Sequence, residues 1–422
     1  MTVRPGKPEG PRRPGVPPFR DSTVALLGGC CFFLSTLEYM IPKPVPFMRI
    51  GLANMPLIVA LDILSVKRFA LLVFIKILGQ GLITGSLFSP VFVFSLAGTL
   101  ASGTAMYLLR RGLGARRVGL IGISTAGAFL SNGVQLALAR AFIFGEGVKF
   151  IAPPLLGAGV LTGMALGLFC EIFIARSAWY RTRRGPLPDD GINPLPRPVP
   201  PPDPSGRAMP LPGNSREKKA LPDRDLLAAG LMMMAAFLFN PSTLTRAVQF
   251  LFFGLYARLT GKKVFPLTTL CVMAVIISGN LLVPYGRVLA EFGPFRLTQG
   301  SFLSGLHKAV TLEGLILLSK AAVGSNLRFP GAFGFFIGES FRLFERLTEQ
   351  RGRVTRKYFI EGIDTLMVEL SAGEESAAAN PPKTAPEPKR TVWGVLLLAG
   401  GVLFTLALTL IGLAGSGAPV RP

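Results

Sequence analysis

The sequence predicts an all-α integral membrane protein: a six-helix bundle followed by a second helical membrane module with amphipathic cytoplasmic helices. Three observations predict it. Half of the 422 residues are hydrophobic and the mean hydropathy is positive, at +0.49. Only 16% of residues are charged, against about 25% in soluble domains. Several apolar runs reach the roughly 20 residues that cross a bilayer.

The formal charge of +22 would suggest nucleic acid in a soluble protein. Here the basic residues cluster in short loops between apolar runs, the pattern of cytoplasmic loops. No segment reads as a domain able to dock a duplex, so no nucleic-acid partner is expected. The four cysteines, Cys30, Cys31, Cys170 and Cys271, lie in apolar segments without metal-ligand spacing and read as packing residues. With His307 the sole histidine, no metal and no cofactor are expected.

Six apolar segments come first: Val24–Ile41, Leu52–Leu64, Phe69–Ile83, Val91–Leu109, Val118–Phe144 and Leu155–Ile174. Basic residues alternate across their loops. Arg4, Lys7, Arg12, Arg13 and Arg20 precede the first segment. Lys67 and Arg68 follow the second, and Arg110, Arg111, Arg116 and Arg117 follow the fourth. Arg176, Arg181, Arg183 and Arg184 follow the sixth. The other loops carry only Lys43, Arg49 and Lys149. The N-terminus is therefore expected in the cytoplasm, as is the chain after six spans. Residues 1–22 read as a disordered basic tail rather than a signal peptide, because Ile41-Pro42-Lys43-Pro44 is no cleavage site. The bundle covers 23–177.

Residues 178–224 read as a cytoplasmic linker, proline-rich and too poor in aliphatic residues to bury a core. The second module spans 225–370. Asn240-Pro241-Ser242-Thr243 punctuates its first apolar run, and Arg246, Gln249, His307, Lys308, Glu313 and Lys320 mark later ones. Phe333–Leu347 is amphipathic, and its Phe face is expected in lipid or against the first bundle. A polar linker, 371–390, leads to a final transmembrane helix, 391–414.

No catalytic motif stands out. Asp189-Asp190 is a lone acidic pair without magnesium-diphosphate spacing, and Gly261-Lys262-Lys263 lacks the upstream half of a phosphate loop. Gly157, Gly159 and Gly163 sit in an apolar run, where such spacing is that of close helix packing. Candidate binding residues come instead from polar groups at membrane depth, where an unpartnered one is costly. In the first module these are Glu38, Asn54, Asp62, Lys76, Gln80, Asn132, Gln135 and Arg140. Asp62 and Lys76 are able to pair across two helices near the inner side. Glu38 and Asn54 fall in the outer half, while Asn132 and Gln135 share a helix face near mid-span. They form the candidate ligand set, each otherwise explicable as interhelical glue. Pro42, Pro44 and Pro46 stiffen the first outer loop, which is either a lid over that set or a rigid turn.

These residues carry a resemblance. "IPKPVPFMRIGLANMPLIVALDIL", "GSLFSPVFVFSLAGTLAS" and "ISTAGAFLSNGVQLALARAFIFG" resemble the Gx transporter family, also described as heptaprenyl diphosphate synthase component I. That family is similar to the six-helix, ligand-binding S components of energy-coupling-factor (ECF) transporters. "NPSTLTR" and "RLFERLTEQRGR" resemble, more weakly, the T component of the same transporters. The resemblance implies a fused S-like and T-like subunit in a bacterial cytoplasmic membrane. It binds a small-molecule ligand from outside and couples to ABC-type ATPase subunits in trans, with Arg351 and Arg353 as partner-contacting residues. A solvated basic segment is the other reading of those arginines. Rival functions are a membrane subunit of isoprenoid-quinone or flavin-linked electron transfer, or an accessory component of a prenyl diphosphate synthase.

Overall fold

The computed structural model describes residues 22–40, 51–114, 117–184, 223–260, 262, 264–292, 295–322, 331–349, 359–377 and 391–416. Pro42, Pro44, Pro46, Arg351, Arg353, the basic tail and most of the linker lie outside them. The described chain is helical apart from one hairpin, in which β1 (Val288–Phe292) pairs antiparallel with β2 (Phe295–Thr298). Helical stretches within Pro90–Leu113, Leu120–Arg176, Gln299–Ala322 and Gly394–Gly415 are long and apolar enough to cross a membrane. Three shorter apolar helices accompany them. The protein is a multi-pass membrane protein.

The first module comprises α1 (Ser22–Met40), a 3-10 turn (Leu52–Asn54), α2 (Met55–Ala60), α3 (Val66–Thr84), α4 (Pro90–Leu113), α5 (Leu120–Ala139) and α6 (Val148–Arg176). The short α7 (Ala178–Arg184) closes it. Proline sets one boundary directly: Pro90 opens α4 after the extended Ser89, where its missing N–H costs nothing. The second apolar segment differs from the expected span. Its helix starts only at Met55, with Pro56 in the first turn, and ends at Ala60. With the preceding turn it rises about 15 Å, half the hydrocarbon thickness. It is a half-length helix lodged between α1, α3 and α6.

Gly159, Gly163 and Gly167 of α6 face α5. A Cβ at Gly163 would lie 2.9 Å from Thr125 Cα, and one at Gly167 would lie 2.5 Å from Ile121 Cα. Two of these glycines were flagged by their spacing, and the contact is the close backbone approach such spacing permits.

The second module holds α8 (Asp223–Leu238), α9 (Thr243–Leu259), α10 (Pro266–Leu281), the hairpin and α11 (Gln299–Ala322). Then come α12 (Gly331–Glu349), α13 (Phe359–Ala377) and α14 (Val392–Ser416). Arg246 of α9 organises its interior. It donates to Leu238 O at 3.1 Å, to Asn240 O and to Thr311 Oγ1 at 2.7 Å, and lies 2.7 Å from His307 Nε2. Asn240 donates to Gln249, which donates to Thr405 O on α14 at 2.9 Å. The Asn240-Pro241 break thus exposes carbonyls that the next helix's arginine satisfies.

The modules are packed together in two places. First, α12 lies on α1, resolving the alternatives for its Phe face in favour of the bundle. A Cβ at Gly29 would lie 3.0 Å from Leu343 Cβ and 3.2 Å from Phe344 N. Phe32 packs on Phe341 and Phe344, with ring centroids 4.8 and 6.4 Å apart. Leu366, Met367 and Leu370 of α13 join the same core. Asp364 of α13 accepts from Ser177 Oγ, Ala178 N (2.8 Å) and Trp179 N (3.1 Å), capping α7.

Second, the helix ends of the first module meet α10 and α11. Phe88 N donates to Ser319 Oγ at 3.0 Å. Gly85 holds a left-handed φ of 62°, and a Cβ there would lie 3.4 Å from Lys320 Cα. At the other pair of helix ends, Asn280 Nδ2 donates to Ile143 O at 3.0 Å. Ile143 and Phe144 pack with Ala309 and Leu312. Ser319 and Ala309 are ten residues apart on one helix, about 15 Å. The two contacts therefore lie well apart along α11.

Candidate functional site

One cavity, of about 50 Å³, lies inside the first module between α1, the 3-10 turn, α3, α4, α5 and α6. Glu38, Asn54, Asn132 and Gln135, the four candidate ligand residues, all line it. Their positions follow from local structure. Gly51 takes a left-handed φ of 87°, and the 3-10 turn after it places Asn54 over the cavity. Asn132 and Gln135, three residues apart on α5, share the inward face. Asn132 Nδ2 donates to Leu155 O of α6 at 3.1 Å, and Gln135 Nε2 donates to Ser131 Oγ at 3.0 Å. Glycine keeps the wall opposite thin: a Cβ at Gly98 would lie 2.6 Å from Gln135 Nε2.

Lys76 also lines the cavity, and its Nζ donates to Asn54 Oδ1. The sequence reading gave it Asp62 as partner, and the structure corrects this. Asp62 sits just beyond α2, where Arg110 grips it bidentately at 2.8 and 2.5 Å, with Tyr180 donating at 3.3 Å. The sequence orders both residues along their helices but not around them, and the half-length α2 leaves Asp62 far from Lys76's level. Burial raises the Asp62 pKa, but the hydrogen bonds and charges of Arg110, with Arg184, outweigh it and hold the carboxyl below its ordinary range. Burial, then the Asp62 charge, pushes the Tyr180 hydroxyl up to about 12.

Gln80 is a further lining residue, and Thr99, Ser124, Ser131 and Thr162 add hydroxyls. The hydroxyls escaped the sequence reading because serine and threonine in apolar helices bond their own backbone equally well. Arg140 does not reach the cavity; it pairs with Glu146 at 2.5 Å at an exposed helix end. Among the described residues no group of three or more His, Cys, Asp or Glu is placed to hold a metal ion.

A second, smaller cavity of about 30 Å³ is wholly apolar. It lies where Leu27, Phe33 and Met55 of the first module meet Leu347, Ile363 and Met367 of α12 and α13. The polar cavity is thus enclosed by the first module, whereas the apolar one exists only where the modules touch.

Residues 27–173 match the family model of heptaprenyl diphosphate synthase component I. Residues 224–325 match that of a domain of unknown function, DUF8519. No curated protein and no solved structure matches the chain.

Proposed function

We propose that this chain, whose first module matches the component I family, is the membrane subunit of an ECF-type uptake transporter. The first module binds a small ligand from outside in the polar cavity. The second module couples it to separate ABC-type ATPases, with Arg351 and Arg353 on the contact surface. The setting is a bacterial cytoplasmic membrane, with the N-terminus in the cytoplasm.

The observation that carries this reading is the clamp of α12 and α13 on α1 and α7. A binding bundle that merely sat in lipid would present α1 to acyl chains. Here Gly28 and Gly29 are shaped to an amphipathic helix of the other module, so movement of α12 is transmitted to the bundle. The second set of contacts, between Phe88 and Ser319 and between Asn280 and Ile143, ties the two modules together as such coupling requires. Neither module carries a recognisable nucleotide motif, so the work comes from partners.

Purification of the tagged chain from its native membrane tests the proposal. Recovery of ATP-binding subunits is expected. Recovery of redox or flavin-carrying proteins instead would favour electron transfer, and a soluble synthase would favour the prenyl diphosphate reading.

A further inference from the structure

We infer that α2 is the element through which the polar cavity and the α12–α13 clamp sense one another. It acts as a short lever, pinned at Asp62, whose other end holds Asn54 over the cavity. The inference rests on the reading of this cavity as the ligand site.

Position comes first. The half-length helix and the turn before it stand between the two cavities. Gly51, Ala53, Asn54 and Ile58 line the polar one. Met55, Pro56 and Val59 line the apolar one, against Leu347 of α12 and Ile363, Leu366 and Met367 of α13. Asn54 and Ile58 are four residues apart and share one face, while Met55 and Val59, also four apart, share another. The long helices α1 and α6 touch both cavities too, but at separate levels along their length. Only in α2 do the two sets of lining residues interleave, so that one short segment is wall to both.

Mechanics comes second. A helix of six residues is too short to hold itself, and all of them are buried, so its place is set by what packs on it. Its C-terminal end is fixed. Just past Ala60, Asp62 is held by Arg110 at 2.8 and 2.5 Å and by Tyr180 at 3.3 Å. Its other end follows Gly51, where the backbone turns through a left-handed φ of 87°, and bears Asn54, which accepts from Lys76 Nζ. The apolar cavity supplies slack. A void of about 30 Å³ with no polar lining gives water no partner and leaves the side chains around it short of contacts. A shift of α13 opens or closes this gap against Met55 and Val59 first. With Asp62 pinned, the displacement emerges at Asn54, and the same path runs back from the polar cavity to the clamp.

Hydrogen–deuterium exchange of the full chain in nanodiscs tests the lever, with the clamp perturbed from α13. Met367→Ala widens the apolar cavity at a residue that does not line the polar one, and Ile363→Val does so more gently should the first variant not fold. Exchange is expected to rise about 10-fold or more both at 366–370 and at 51–60. It should stay unchanged at 127–135 of α5, which lines the polar cavity but packs chiefly on α4 and α6. No rise at 51–60 in either variant, or an equal rise at 127–135, would overturn the lever. Normal ligand retention in Asn54→Ala and Gln135→Ala is a separate result: it would remove the ligand site while leaving the measured link between α13 and α2 in place.

Discussion

Replacing Asp364 by alanine removes the carboxylate that joins α13 to the first module. The wild-type side chain is buried and accepts from Ala178 N at 2.8 Å, Trp179 N at 3.1 Å and Ser177 Oγ. A hydrogen bond to a charged group contributes about 1.5–3 kcal/mol. Losing the two backbone bonds at the lower figure costs about 3 kcal/mol. Water cannot replace them at Trp179, which is fully buried. The α7 helix itself should persist, because Ser177 Oγ also accepts from Tyr180 N at 3.0 Å and caps the first turn. The cost therefore falls on docking. Hydrogen–deuterium exchange should rise about 100-fold at Ala178, Trp179 and the Leu366–Leu370 turn of α13, and less in Asp364→Asn, which keeps a neutral acceptor. Unchanged protection in Asp364→Ala would refute the claim that this carboxylate holds the modules together.

Four further outcomes are expected. Asn54→Ala and Gln135→Ala should each weaken ligand retention by roughly 10- to 150-fold, the equivalent of 1.5–3 kcal/mol, with normal expression; normal retention in both would move the site elsewhere. Because the folded Asp62 carboxyl titrates below its ordinary value, its clamp on Arg110 is fully present above about pH 4 and is lost as pH falls through the depressed value. Trp179 fluorescence melts should show an acid slope that Asp62→Asn flattens, and an unaltered slope would contradict the assignment. A cysteine at Phe47 should label from outside intact cells and one at Pro200 should not; the reverse would invert the topology. Arg351→Glu should abolish ATPase co-purification by opposing charge at a partner contact, and full recovery of ATPases would remove that arginine from the interface.

The parts of the fold legible in the sequence are those fixed by local pattern. The apolar runs of α4, α5 and α6 are long, so their spans follow from hydropathy. Phe333–Leu347 announces an amphipathic helix by its period. What it packs against is a non-local fact, decided by Gly28 and Gly29 some 300 residues earlier. The half-length α2 was obscured because Leu52–Leu64 is apolar throughout, and hydropathy does not register that Pro56 and Asp62 bracket a short helix. Within the cavity, depth alone picked out Glu38, Asn54, Asn132 and Gln135. Lys76 was misassigned because Asp62 offered a plausible opposite charge, while the true partner of Asp62 was Arg110, read only as a loop charge. The Asp364 cap joins residues 187 apart and has no local signature. The linker carries no sign that α12 and α13 share one core with α1, as they do.

The central claim is that the first module moves against the second when partner ATPases act. Phe88 and Ser319, which touch across the two modules, report that motion directly once both are replaced by cysteine and the exposed Cys271 by serine. In nanodiscs with the co-purified ATPases, the pair should cross-link in the absence of nucleotide, and the yield should fall on addition of ATP and the retained ligand. A yield that ATP leaves unchanged, with the ATPases bound and active, would contradict the account.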